Sequence, residues 1–167
     1  MNEQELKEFI EKSGDRAKVR GFIRSYIRGV DGKIRDDSGF IENTITNAGL
    51  AVLAGLAGNT GSQVAFTFLA VGTNNTAASA SQTALVAEIT DSGLARSAAT
   101  VSRSTTTQTN DTLQLDKTWT ATGAKTVEEI GVFNDATTGV MLGRKVTGTK
   151  TLAIGEDLVA TYKIIFA

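Results

Sequence analysis

The chain has 167 residues, a formal net charge of −1, an apolar share of 41% and aromatics at 6%. That suffices for one domain with an appended arm, although the core is thin and burial between subunits would help to stabilise it. Cysteine and histidine are both absent, which excludes disulfides, thiolate or imidazole metal sites and Ser-His or Cys-His nucleophiles.

The first residues, Met1 to Leu6, are polar and acidic, unlike a secretory signal, so assembly in the cytoplasm is expected. Leu6, Phe9 and Ile10 recur at helical spacing and predict a helix over residues 2–13 that Gly14 ends. So short a helix is marginal alone and needs a surface, either its own body or a neighbouring subunit. Residues 1–15 sum to −3, residues 16–35 to +6 and the remainder to −4. The first forty residues thus look like an interaction segment on a mildly acidic body, with 1–17 as its arm.

Val19 to Arg28 alternates as a strand should. Val19, Ile23 and Ile27 take one face; Arg20, Phe22, Arg24, Tyr26 and Arg28 take the other. Asp31-Gly32 marks a hairpin turn after it. Arginine interleaved with aromatics suits a stacking platform for single-stranded nucleic acid. With net charge near zero and a footprint of one strand, pairing of these arginines with acidic residues on the body or a partner is the preferred reading, and no nucleic-acid partner is expected.

A short helix is predicted from Asn47 to Leu56, with Asn47 as N-cap and Gly58 and Gly61 breaking the run. The apolar stretch Ala48 to Ala57 is too short to span a bilayer, and no membrane partner is expected. Strands are predicted at 64–71, 95–106, 112–121, 127–133, 139–146 and 158–166, separated by turns such as Gly72-Thr73-Asn74-Asn75 and Asn134-Asp135. The final strand places Leu158, Ala160, Tyr162, Ile164 and Phe166 on one face and is expected to close a sheet. Short strands between polar turns suggest a β-sandwich.

Chemistry is sparse. The adjacent carboxylates Asp36-Asp37, Glu128-Glu129 and Glu156-Asp157 should point to opposite faces, which makes them poor acid/base pairs. A glycosidase pair from distant strands lacks aromatic-rich surroundings. Asn74, Asn75 and Asp91 offer oxygen ligands but no twelve-residue calcium loop, and read as solvated turns. The glycine-rich run Gly55 to Gly61 follows a helix and lacks the Lys-Ser/Thr of a phosphate loop. A Ser/Lys nucleophile needs a buried lysine, and no lysine sits in an apolar run. Glu129 and Arg144 each adjoin apolar residues, and neighbouring strands could pair them in a buried salt bridge. No catalytic residue, cofactor or metal is assigned, and the chain is not expected to be an enzyme.

The order of the motifs carries more than any one of them. Gly21-Phe22-Ile23-Arg24 and Asp31-Gly32-Lys33 precede Asn43-Thr44-Ile45-Thr46-Asn47-Ala48-Gly49-Leu50. Leu69-Ala70-Val71-Gly72-Thr73 follows, then Gln82-Thr83-Ala84-Leu85 with Glu88 and Arg96. Glu128-Glu129-Ile130-Gly131-Val132-Phe133-Asn134 and Met141-Leu142-Gly143-Arg144 complete the set. This resembles a group of small structural proteins in tailed bacteriophage virions, over roughly residues 18–167. Gly72-Thr73-Asn74 departs from that group's Gly-Thr-Gly, and Glu128-Glu129 from its more usual Arg-Glu.

The resemblance implies a virion part: a capsid decoration (cement) protein on the outer surface of the head, or alternatively a head, collar or tail fibre component that contacts the host surface through loops such as 73–83 and 105–111. The expected fold is all-β, a jelly-roll-like β-sandwich over 18–167 with a helical arm over 1–17 and one short internal helix. The expected unit is a homotrimer bound to the major capsid protein or other virion proteins. The residues expected to bind the partner are Leu6, Phe9 and Ile10 on the arm, with Arg20, Phe22, Arg24, Tyr26 and Arg28 on the first strand.

Overall fold

Alternation along Val19–Arg28 produces the first strand, β1, with Ile23, Ser25 and Ile27 buried and the arginines and aromatics turned outward. It belongs to a computed structural model that describes residues 18–166. The expected arm, with Leu6, Phe9 and Ile10, lies outside the described residues. The turn at Asp31-Gly32 leads to β2 (Ile34–Arg35), followed by β3 (Ile41–Glu42) and β4 (Thr44–Ile45). After helix α1 (Asn47–Gly58) come β5 (Phe68–Gly72), β6 (Ser97–Ala98), β7 (Thr100–Ser104) and β8 (Thr112–Thr120). The last three strands are β9 (Lys125–Phe133), β10 (Met141–Leu152) and β11 (Asp157–Phe166).

The strands form two antiparallel sheets. One runs β2-β1-β11-β8-β7, with β3 also on β1; the other runs β4-β10-β9-β5-β6. β1 pairs with β11 in the first sheet and β4 with β10 in the second. Each sheet thus joins an early strand to a late one. Within the sheets, β7–β8 and β9–β10 are local hairpins. Ile23, Leu115, Trp119, Leu158, Tyr162 and Ile164 from one sheet meet Leu69, Val71, Val127, Ile130, Val132 and Leu142 from the other in a single core. The fold is an all-β sandwich.

Three boundaries differ from the sequence expectation, each for a local reason. Residues 64–67 are not a strand, although Phe66 is buried in the core and Thr67 donates its N–H to Phe133. The expected strand 95–106 is two pieces, because the chain leaves one sheet and joins the other at Ala99, whose N–H is taken by Thr67. β10 continues to Leu152 through an irregularity between Val146 and Lys150, where Gly148 adopts φ 77°.

Helix α1 is capped by Thr46 rather than Asn47. The Thr46 hydroxyl accepts from Gly49 N at 2.9 Å and donates to Met141 O at 2.5 Å. Asn59, at φ 50°, ends the helix in the left-handed conformation that asparagine tolerates. Gly49 lies so close to β10 that a Cβ there would stand 2.6 Å from Leu142 Cα.

A second, smaller apolar cluster sits on the other side of the second sheet. Ala70, Phe133 and Met141 are covered there by Leu85 from the long connection between β5 and β6. This strap, residues 73–96, explains why Ile130, Gly131, Val132 and Phe133 of β9 are all buried despite strand alternation.

Candidate functional site

The outward face of the first sheet carries the expected partner-binding residues of β1. Register with β11 sets Arg20 opposite Ile165, Phe22 opposite Lys163, Arg24 opposite Thr161, Tyr26 opposite Val159 and Arg28 opposite Asp157. β8 extends the face with Thr112, Gln114, Asp116, Thr118 and Thr120, and β7 with Ser104, Ser102 and Thr100. The result is a largely polar surface with one ladder of arginines and aromatics along its β1 side.

Each of these arginines has an acidic partner on its own body. Arg20 bonds Glu42 at 2.9 Å, Arg24 grips Asp37 through two contacts of 3.0 and 2.5 Å, and Arg28 bonds Asp157 at 2.7 Å. Arg20 also lies over the Phe22 ring and Arg24 over Tyr26, at 5.1 and 5.3 Å. The Arg24 guanidinium, helped by the Gly39 N–H, holds the Asp37 carboxyl down at about 2. Arg20 likewise lowers Glu42, while the Thr120 hydroxyl and then Arg28 lower Asp157. A ladder neutralised in place has little charge left for phosphate, so the paired reading of these arginines describes the structure.

At the β1 start of this face lies a mostly apolar groove of about 260 Å³, lined by Phe22, Phe40, Thr106, Lys163 and Ile165. Phe40 comes from the loop between β2 and β3, and Lys163 stands 5.2 Å from its ring. Sequence reasoning missed Lys163 and Ile165, although the outward positions of the final strand alternate as regularly as its inward ones. Phe40 had no periodic signal, because it sits in a loop.

The strap has its own polar anchor. Glu129 and Arg144 are both fully buried and paired at 2.5 Å. Glu129 accepts from Ala87 N at 2.9 Å and Val86 N at 3.2 Å; Arg144 donates to Thr76 O at 2.8 Å and Gln82 Oε1 at 3.3 Å. Arg96 holds Glu88 with two bonds, lies 3.6 Å over the Phe133 ring and donates to the carbonyls of Asp135 and Thr138. The motifs from Val71-Gly72 to Met141-Leu142-Gly143-Arg144 thus converge on one structural device.

The adjacent carboxylates take separate partners, Glu128 and Glu129 through strand alternation in β9 and Asp36 and Asp37 through a bend in which Asp36 adopts φ 52°. Asp36 goes to Arg35 and Asp37 to Arg24; Glu128 goes to Thr149 and Glu129 to Arg144; Glu156 goes to Arg35 and Asp157 to Arg28. Asn74 accepts from Thr76 N, and Asp91 pairs with Lys125. Among the described residues, no group of three or more acidic residues could hold a metal ion, and no helix is long and apolar enough to cross a membrane.

One lysine overturns its sequence expectation. Lys150 is buried in the irregular part of β10, donating to Thr147 O at 3.0 Å, and desolvation lowers its pKa. It has no apolar run around it in sequence; the bend at Gly148 and the loop bearing Asp36 and Asp37 enclose it instead. Comparison with protein families, curated proteins and solved structures returns no match for the chain.

Proposed function

We propose that the chain is a structural protein of a tailed-bacteriophage virion: a capsid decoration protein on the outer surface of the head, with the major capsid protein as partner and a homotrimer as its unit. The observation that carries this reading is the spatial convergence of the resemblance motifs. Gly72, Gln82, Leu85, Glu88, Arg96, Glu129, Phe133 and Arg144 come from four separated stretches and build one clamp. Such an ordered set is more specific than its pieces.

Binding rather than turnover suits the surface. On the outward face of β1, β11, β8 and β7, the Arg20, Phe22, Arg24, Tyr26 and Arg28 ladder supplies the residue types favoured as interface anchors. These strands, of ten, ten, nine and five residues, cover roughly 540 Å², from a rise of about 3.3 Å and a spacing of about 4.8 Å. That is below the roughly 800 Å² per partner of a stable interface. Additional surface from residues 1–17 and from neighbouring copies in a trimer would make up the difference.

The test is co-sedimentation of the purified chain with particles lacking it and, separately, with host envelopes. Saturable binding to the particles supports the decoration reading. Binding to envelopes alone replaces it with the fibre reading, in which loops 73–83 and 105–111 touch the host. Replacing both Phe9 and Ile10 by Ser should release the chain from particles while leaving its β-sheet spectrum unchanged.

A further inference from the structure

The groove at the β1 start of the outward face is the strongest unused feature of the described residues. Its floor is Phe22, Lys163 and Ile165, and Phe40 forms a wall while remaining 49% exposed. Lys163 has no carboxylate within ion-pair reach among the described residues, unlike the arginines beside it. An apolar slot with a cation that is unpaired among the described residues fits an apolar stripe flanked by acid.

The same chain carries that complement. Residues 1–15 hold a charge of −3, with Leu6, Phe9 and Ile10 spaced as one helical stripe. They precede Lys18, where the described chain begins, and Phe22 lies four residues further along β1. That distance is about 13 Å at strand rise. The connector from Gly14 to Ala17 spans up to about 14 Å extended, and a helix over 2–13 would be about 18 Å long. The stripe therefore reaches the groove on its own chain, and the tether gives it an effective concentration that a free partner would need millimolar levels to match.

We infer that residues 1–17 dock in cis, seating Leu6, Phe9 and Ile10 against Phe22, Phe40 and Ile165 with their acidic flank toward Lys163. The docked segment then covers Phe22 and widens the outward face, leaving Arg20, Arg24, Tyr26 and Arg28 of the ladder open to a partner, instead of acting as a separate arm. This inference does not rest on the virion reading, and its test uses no particle.

Because the chain has no cysteine, paired substitutions give an unambiguous cross-link. Phe9→Cys combined with Thr106→Cys, in the full chain at low micromolar concentration under mild oxidation, should give a disulfide within one copy, seen at monomer mass. Phe9→Cys with Ile154→Cys, in the turn before β11, is the control and should form it at least tenfold more slowly. Adding Lys163→Glu to the first pair should slow its closure about two- to threefold, the size expected of an exposed charge contact. Equal rates for the two pairs overturn the docking site. Cross-links only between copies overturn the cis assignment and give the groove to a neighbour's segment.

Discussion

Arg144 Nε donates to Glu129 Oε2 at 2.5 Å, and neither side chain reaches solvent. The pair lies on the side of the second sheet that strand alternation would leave wet, beneath the strap. Two buried charges are costly to desolvate, and their mutual attraction offsets that only when the remaining lone pairs and protons are satisfied. The strap backbone supplies most of those partners: the N–H groups of Val86 and Ala87 for Glu129, and the carbonyl of Thr76 for Arg144, whose Nη2 stays buried without a partner among the described residues. The ion pair and the strap each require the other.

Breaking one half of the pair should therefore cost more than removing both. Glu129→Gln or Arg144→Met is expected to lose about 3–5 kcal/mol, and the double variant less than either single variant. Urea denaturation of the three variants measures this. Limited proteolysis should cut the single variants within residues 74–83 before any other site. Single losses below about 1 kcal/mol would mean that the strap holds without the pair.

Gly72 makes room for this arrangement. A Cβ there would collide with Glu129 Oε1 and stand 2.6 Å from Ala87 O. Since the second contact is backbone, the strap itself must shift. Gly72→Ala should destabilise by about 1–3 kcal/mol and add little when Glu129→Gln is already present, because both disturb the same contacts. Full additivity in a thermal-denaturation cycle would place the cost elsewhere.

The start of α1 offers a sharper contrast between neighbours. Thr46 is buried and caps the helix while tying it to Met141; Asn47 is exposed and uses its backbone N–H toward Ala80. Thr46→Ala should lose about 1–2 kcal/mol, and Asn47→Ala less than about 0.5. Chemical denaturation decides it. Equal effects would return the cap to Asn47.

Why one residue was readable and its neighbour was not follows from what each signal depends on. β1 was legible because a period of two over ten residues has a single interpretation, and the Ile23/Ile27 face is indeed the core face. Glu129 and Arg144 were legible because a charge beside apolar neighbours must find a partner. The cap was misplaced by one residue because Thr46 and Asn47 are both capping residue types, and only tertiary contact with Met141 chooses between them. The break at Ala99, the buried Lys150 and the groove at Phe40 depend on where distant segments lie. Local periodicity holds no information about them. The strap was visible as one of the ordered motifs of the resemblance, from Gln82 to Arg96, but not as a cover on a sheet.

Acid should weaken the fold in a defined window. Arg24 and then the Gly39 N–H hold Asp37 at about 2, below its ordinary 3.8. A carboxyl lowered by folding contributes its full stabilisation above the unfolded value and loses it as pH falls toward the folded one. Stability should thus fall between about pH 4 and pH 2, with Asp111, Asp135 and Glu42 lowered in the same direction and adding to the slope. Asp37→Asn should flatten this limb, and about 1 M salt should shrink the difference because the pair is at the surface. Parallel acid limbs for wild type and variant, measured by urea midpoints at several pH values, would remove Asp37 from the account.

Alkali acts through a different residue. Tyr162 is fully buried on β11, and desolvation pushes its phenol far above the ordinary 10.0. The Asn43 amide donates to its oxygen, at a point where β1 and β10 present Gly21 and Gly143 and so leave room for the Asn43 side chain. For an acid whose folded pKa is raised, the neutral form is favoured by folding. That stabilisation is complete below the unfolded value and is lost as pH rises above it. In a Tyr26→Phe background Tyr162 is the only tyrosine, and its phenolate absorbance should appear together with loss of the β-sheet spectrum, not before it. Tyr162→Phe should remove this alkaline limb while costing about 1–2 kcal/mol at neutral pH, because the Asn43 amide loses its acceptor. Ionisation of Tyr162 in a still-folded chain would show that solvent reaches the centre of the sandwich, contrary to its burial between the two sheets.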